Sequence, residues 1–332
     1  MVNEVKKNKT EGIKLDGKDW KILNQLDLNS RQSDSEIGKK TRISKQVVNY
    51  RIKKLEEDGV ILGFFPHINV PKLGYLTHKI YLRFRSLNKQ NEEEILNYLK
   101  KQEKIVWVIL CSGRWDLIFG VASESISEFD KVLDGFMNLY SEFVAERGIS
   151  VFNKATIHHR KWLIDDKNEV SWKLGGKKEE IDEIDRKILV ELEKNARVSV
   201  IDMAEKARIS STLVIQRIKK LREKDVIGAF RLSLNREKLG IHYCKAFIYY
   251  QNKTTEKEEK LLKYVYSLNE ILGVSKSIGS WDLELEFEVK SYDDFHKIMK
   301  ELKNKFDIIS SFDTGYIEKE LGESFMPKIH MG

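Results

Sequence analysis

At 332 residues the chain is longer than one ordinary domain and suits two to four small domains with cores of their own. Hydrophobic residues at 41%, charged residues at 33% and only three prolines exclude a fibrous or disordered chain and fit a globular one rich in helix formers. The formal net charge of +7 favours a polyanionic partner such as nucleic acid, provided that the cations cluster.

The first periodic stretch carries Trp20, Ile22, Leu23 and Leu26 behind Asp16, a capping residue, and reads as a helix. "SDSE" from Ser33 has the capping-box pattern and opens a short second helix. A third begins at Ser44 within "ISKQVVNYRIKKL". Val48, Ile52 and Leu55 make one apolar stripe there, and Lys45, Gln46, Asn49, Tyr50 and Lys53 fall largely on the other side. Gly59 suits the left-handed position that ends this helix, and "VILGFFPHIN" follows as a strand or wing. Three short helices and a wing are the order of a winged helix-turn-helix. Next come an alternating strand, "HKIYLRFRSL", a helix, "QNEEEILNYLKKQ", and a hairpin, "KIVWVILCSG" with "RWDLIFGVAS", turning at Ser112-Gly113. A helix from Ser125 to near Phe143 and a strand from Ile149 to Ile157 complete the unit. This β-α-β-β-α-β order is the ferredoxin-like plan, in which both helices cover one sheet face and the bare apolar face needs a partner sheet.

The whole pattern is then written again. "ISSTLVIQRIKKL" begins at Ile209, 166 positions after its counterpart at Ile43 (209 − 43), and three further anchors keep that offset: "LDGKDWKIL" with "IDEIDRKIL", "NVPKLG" with "NREKLG", and "GRWDL" with "GSWDL". The fold class expected is therefore α+β, two winged helix-turn-helix domains alternating with two ferredoxin-like βαββαβ domains. Their bounds are 12–66, 67–164, 181–232 and 233–327, with the polar, glycine-bearing stretch 165–180 as an exposed linker.

A third helix of this kind fits a DNA major groove. Gln and Asn read adenine edges, Lys reads guanine, and neighbouring cations hold phosphates. The candidate DNA contacts are Arg42, Ser44, Lys45, Gln46, Asn49, Tyr50, Arg51, Lys53 and Lys54 in the first copy. In the second they are Arg208, Ser210, Ser211, Thr212, Gln216, Arg217, Lys219 and Lys220. For one such helix the bland reading is a solvated basic face; duplication behind a capped helix pair weighs against it. The copies keep their expected phosphate residues but differ on the base-reading face, where Ile215 replaces Asn49. Either the two helices read different half-sites or the second has drifted to a protein contact.

The paired hairpins offer Gly113, Trp115 and Asp116, and Gly279, Trp281 and Asp282. Glycine lets a ligand approach the backbone, the aromatic makes a wall and the carboxylate accepts from an ammonium group. The competing reading is a tight turn with Trp covering the sheet end and Asp satisfying turn amides. His158-His159 occurs in one copy, lacks a third spaced ligand and reads as a surface pair. No phosphate loop, GxSxG elbow or HExxH motif occurs, so neither an enzyme nor a cofactor or metal is indicated. Two cysteines, Cys111 and Cys244, are too few for a disulfide framework, no apolar signal core opens the chain, and no run of about 18 apolar residues occurs. A cytoplasmic protein that does not span a membrane is expected.

Over nearly its whole length the sequence resembles the Lrp/AsnC, or feast/famine, transcription regulators, through "LDGKDWKIL…ISKQVVNYRIKKLEEDGVILGF" and its second version. That resemblance implies a helix-turn-helix joined to a ferredoxin-like domain called RAM, pairing of RAM sheets in a homo-oligomer, double-stranded DNA as partner and an amino-acid effector. It also implies that the glycine-x-aromatic-aspartate hairpin lies near the effector pocket, at interfaces between dimers. The duplication departs from the usual single-copy design and permits an intramolecular pseudo-dimer. Siroheme decarboxylase looks like the same fold; its Arg-rich, His-bearing stretch is represented here only by His67 and Arg231. A ligand-sensing protein that has lost DNA binding is the third reading.

Overall fold

Helix α1 (Gly17–Leu28) starts where the Asp16 carboxylate accepts the main-chain N–H groups of Lys18 and Asp19 while the Asp19 carboxylate accepts that of Asp16. Ser33 and Glu36 make the same reciprocal cap for α2 (Asp34–Thr41), so donors that a helix start leaves unpaired are satisfied locally. After α3 (Lys45–Glu57), Gly59 at φ 63° turns the chain into β1 (Ile61–Ile68). The first ferredoxin-like unit comprises β2 (Leu76–Phe84), α4 (Lys89–Lys101), β3 (Ile105–Gly113), β4 (Leu117–Ser123), α5 (Ile126–Tyr140) and β5 (Val144–His158). A short strand, β6 (Ser171–Leu174), precedes the second helix-turn-helix: α6 (Glu183–Lys194), α7 (Val200–Ala207), α8 (Ser211–Glu223) and β7 (Ile227–Leu234). Then follow β8 (His242–Tyr250), α9 (Thr255–Ser267), β9 (Ile271–Gly279), β10 (Leu283–Val289), α10 (Tyr292–Lys305) and β11 (Ile309–Leu321). This computed structural model describes residues 14–164, 170–321 and 326; positions 12–13, 165–169, 322–325 and 327 of the expected domains and linker lie outside the described residues.

The partner for each bare sheet face is the other half of the same chain. Each half has the order of its plan, β5-β2-β4-β3 and β11-β8-β10-β9, and the seams β3–β11 and β5–β9 join them into a closed eight-stranded barrel. Closure gives each of those eight strands a neighbour on both sides around the barrel. The outer faces pack under the helices, α4 and α5 over Phe119 and Val121, α9 and α10 over Leu285 and Phe287. Residues 171–174, expected within an exposed linker, instead pair with β5 from His158↔Ser171 to Ala155↔Leu174, because the edge of β5 beyond its pairing with β2 is available.

The helix-turn-helix units are joined by an antiparallel ribbon of β1 and β7. Contacts around it are reciprocal in the 166-residue repeat. Ser30 N–H donates to Phe230 O and Ala196 N–H to Phe64 O, both at 2.9 Å. Arg31 donates to the carbonyls of Ala196 and Val198, and Arg197 to those of Ser30 and Gln32. The interface is thus isologous, as in a two-fold dimer, though one chain supplies both sides. A single apolar core runs through both units, from Ile22, Leu23 and Leu26 to Ile188, Leu189 and Leu192.

Candidate nucleic-acid interface and the cavity behind it

Both third helices present their polar faces to solvent. On α3, Lys45, Gln46, Asn49, Tyr50, Lys53 and Lys54 are exposed; on α8, Ser211, Thr212, Gln216, Lys219 and Lys220 are, together with Ile215. Ser44 and Ser210 are the N-caps, accepting from Val47 N–H and Leu213 N–H. Arg42 and Arg208, exposed, end the preceding helices in the left-handed region at φ 59° and 56°. Asn49 donates to Asp34 at 2.8 Å, so one base-reading candidate has an internal partner to exchange. Lys54 pairs with Asp58.

Arg51 and Arg217 are placed differently from the other expected phosphate residues. Arg51 bridges Asp16 and Asp19 at 2.9 and 2.8 Å, and Arg217 bridges Asp182 and Asp185. Each ties its third helix to the start of the first, and the bridging carboxylates raise the affinity of each guanidinium for its proton. A staple repeated in both copies accounts for the shared arginine.

At the hairpins the Trp and Asp side chains meet groups of the same chain. Trp115 and Trp281 are buried inside the barrel beside Tyr81 and Phe247. The Asp116 carboxylate accepts Phe84 N–H at 2.7 Å and the Asp282 carboxylate accepts Tyr250 N–H at 2.9 Å, tying off the ends of β2 and β8. Gly113 and Gly279 sit on the seams. A Cβ would come within 2.6 Å of Thr314 O at Gly113 and 2.2 Å of Ile149 O at Gly279. The close approach that glycine serves is that of the other module's strand.

His158-His159, expected at the surface, is buried, at 3% and 1% exposure, because β5 runs beneath the second module. Burial holds the His158 imidazole down to about 4. The following Arg160 enters a network that the sequence did not disclose. Its guanidinium reaches Asp27 at 2.6 Å and Glu288 at 2.9 Å; Arg231 also holds Asp27, and Arg236 holds Glu288 and Glu320. Deeper in the barrel Lys245 pairs with Glu284 and Glu286, Lys79 and Tyr81 with Glu284, and Tyr243 with Glu286. Despite burial, the Lys245 and Lys79 ammonium groups hold Glu284 at about 2, and Arg160 and Arg236 hold Glu288 at about 2. These groups line or support a cavity of about 190 Å³ where the barrel meets the wing ribbon, and burial with the nearby Arg231 and Arg160 lowers His67, on its wall, to about 3. The available signal was "LELEFEV": alternating glutamates read as a solvent face, but closure of the barrel turns that face inward. Among the described residues no cluster of three metal-ligating groups occurs, and no helix is long and apolar enough to cross a membrane.

The family model for winged helix-turn-helix DNA-binding domains matches residues 15–61 and 181–227. The HTH-type transcriptional regulator Ptr1 of Methanocaldococcus jannaschii is 35% identical over 119 residues, 36% of this chain and 79% of that protein. The regulatory protein AsnC of Haemophilus influenzae is 27% identical over 134 residues, 40% of this chain and 89% of that one. Across the full duplicated length, the crystal structure of the siroheme decarboxylase NirDL shares the fold, with a TM-score of 0.63 at 15% identity, covering 95% of this chain and 96% of that one. Two matched helix-turn-helix segments, each followed by a RAM-type fold, place the chain in the Lrp/AsnC family of winged helix-turn-helix transcription regulators, as a tandem duplicate.

Proposed function

We propose that one chain reads an asymmetric DNA site of two unlike half-sites, with α3 and α8 in successive major grooves. The observation that carries this reading is a pair of exposed third helices, different on their outer faces, fixed to one continuous ribbon and core. Gln46, Asn49, Thr212 and Gln216 are the base readers, and Arg42, Lys45, Lys53, Lys54, Arg208, Lys219 and Lys220 hold phosphates. A regulator of this kind works in the cytoplasm, with a small effector altering its grip. The test is selection from genomic fragments across a salt series: enrichment of particular sequences, with affinity falling as salt rises, supports the reading, and no enrichment refutes it.

Two observations favour other readings. Ile215, 56% exposed at the centre of the α8 face, suits a protein contact; if so, changing Thr212 and Gln216 would leave DNA preference intact while Gln46 and Asn49 alter it. The convergence of His67, Arg160 and Arg231 at the cavity suits a carboxylate-rich tetrapyrrole substrate. Against it, each cavity arginine already holds a carboxylate, and about 190 Å³ is small beside the usual range for ligand sites of roughly 300–1,000 Å³. An absorbance change and decarboxylation on mixing with siroheme would favour the enzyme.

A further inference from the structure

Two matched arginines reach across to the other module, and the repeat gives a carboxylate to only one of them. Arg197, between α6 and α7, lays its guanidinium 5.3 Å from the Phe64 ring centre of the first module and donates to Ser30 O at 2.6 Å and Gln32 O at 3.0 Å. Its other amino group donates to Asp34 Oδ1 at 2.8 Å. Arg31, its counterpart, has matching carbonyl partners in Ala196 and Val198, but Val200 holds the place of Asp34 in the second module. Ile215 there holds the place of Asn49. The arginine is common to both copies, whereas the carboxylate and the amide go together, present in the first and replaced in the second.

In the first module these residues form a chain. Asp34 Oδ1 takes Arg197, and Asp34 Oδ2 accepts Asn49 Nδ2–H at 2.8 Å. A carboxylate accepts and does not donate, so Asp34 decides that the nitrogen end of the Asn49 amide turns toward it. An exposed asparagine alone is free to turn its amide either way and so offers a base donor or acceptor without preference. With one N–H on Asp34, the amide keeps a second N–H and its carbonyl oxygen, the kinds of group that a bidentate contact uses on adenine N7 and N6. The internal partner therefore need not be given up on DNA. Asp34 is itself well held: its side chain is 13% exposed and that of Arg197 21%, and it opens α2, where a negative charge is favoured.

We propose that Asp34 is a positioning residue for base selection by α3, a role that rests on the DNA-reading proposal. Gripped from the second module by Arg197, it orients the Asn49 amide so that α3 prefers adenine at one position of its half-site. Val200 and Ile215 leave α8 without this device. The group that aims the first module's reader is thus held by the second helix-turn-helix, and accurate reading by α3 requires the two units to be docked.

Selection of bound duplexes from a randomised pool by the full chain, followed by sequencing, tests it. The unaltered chain should enrich adenine at one position of one half-site, and Asn49→Ala should identify that position by flattening it. Asp34→Asn keeps the size but donates as well as accepts, which frees the Asn49 amide to turn. Discrimination at that position should then fall about fivefold or more, a bidentate contact being worth about five- to a hundredfold, with the preference of the other half-site unchanged. Added to Asn49→Ala, Asp34→Asn should change nothing further there, because it acts through the amide. Arg197→Lys, which keeps the charge but loses the two-point grip, should relax the same position. Should Asp34→Asn not fold, Asp34→Ala removes the partner outright and should give the same relaxation. The proposal is overturned if Asn49→Ala flattens no position, or if the Asp34 variants change affinity for all sequences equally, as a merely structural helix start would. It is also overturned if Arg197→Lys leaves the position as it was, or if Asp34→Asn alters it equally without the Asn49 amide. An unaltered chain that enriches no sequence refutes the DNA-reading proposal and this one with it, whereas enrichment that survives Asp34→Asn unchanged refutes this one alone.

Discussion

Replacing Lys53 and Lys54 by alanine separates backbone contacts from internal staples. Of the exposed cations on or beside the two third helices, seven are the expected phosphate contacts: Arg42, Lys45, Lys53, Lys54, Arg208, Lys219 and Lys220. If all meet phosphates, the slope of log affinity against log salt is about −6, at about 0.9 per contact. Lys53→Ala/Lys54→Ala should make that slope shallower by about 1.8 and weaken binding about thirty-fold at physiological salt, equally for all sequences. Arg51→Ala should behave otherwise. Arg51 is 22% exposed and bridges two carboxylates, so its loss frees α3 from α1 and costs about 1 kcal/mol of stability with the salt slope unchanged. The assays are fluorescence anisotropy on a labelled duplex across a salt series and urea unfolding of each variant. A slope that falls by about 1 in Arg51→Ala, with stability intact, would refute the division of roles.

Three further outcomes follow from the geometry. Asp225 takes the left-handed turn, φ 55°, that Gly59 takes in the first module, so Asp225→Gly should raise stability by about 0.5–1 kcal/mol in urea unfolding. Gly279→Ala, at φ 151° with a Cβ 2.2 Å from Ile149 O, should cost at least about 2 kcal/mol and lower the thermal midpoint, since backbone blocks it on the β5–β9 seam. Burial keeps His67 and His158 uncharged in the fold, at about 3 and about 4, whereas the unfolded chain protonates each near 6.5; stability should therefore fall as pH drops from about 6.5 toward 4. Each histidine contributes a slope of about 1.4 kcal/mol per pH unit, so unfolding midpoints at stepped pH should show His158→Phe reducing the slope by that amount.

Local chemistry made the helices and wings legible. Asp16, Ser33 and Ser44 cap the helices they were expected to cap, and Val48, Ile52 and Leu55 are buried as their spacing requires. These signals lie within a few residues of one another, where hydrogen-bond reach and helical period act without distant partners. The duplicated register gave the domain order for the same reason. Arg51 shows the limit: its contact with Asp16 and Asp19 spans three helices' worth of chain, and the sequence offers only a basic residue on a basic helix.

By itself the sequence determined two winged helix-turn-helix units alternating with two β-α-β-β-α-β sheets, each sheet with one face to cover. Only the tertiary structure decided that the cover is the other half of the same chain, that β3–β11 and β5–β9 close a barrel, that the glutamates of β10 face inward, and that the histidines at the end of β5 are buried. Alternation along a strand says which residues share a face, not which side of that face water will occupy. That side is set by what packs against it from more than a hundred residues away.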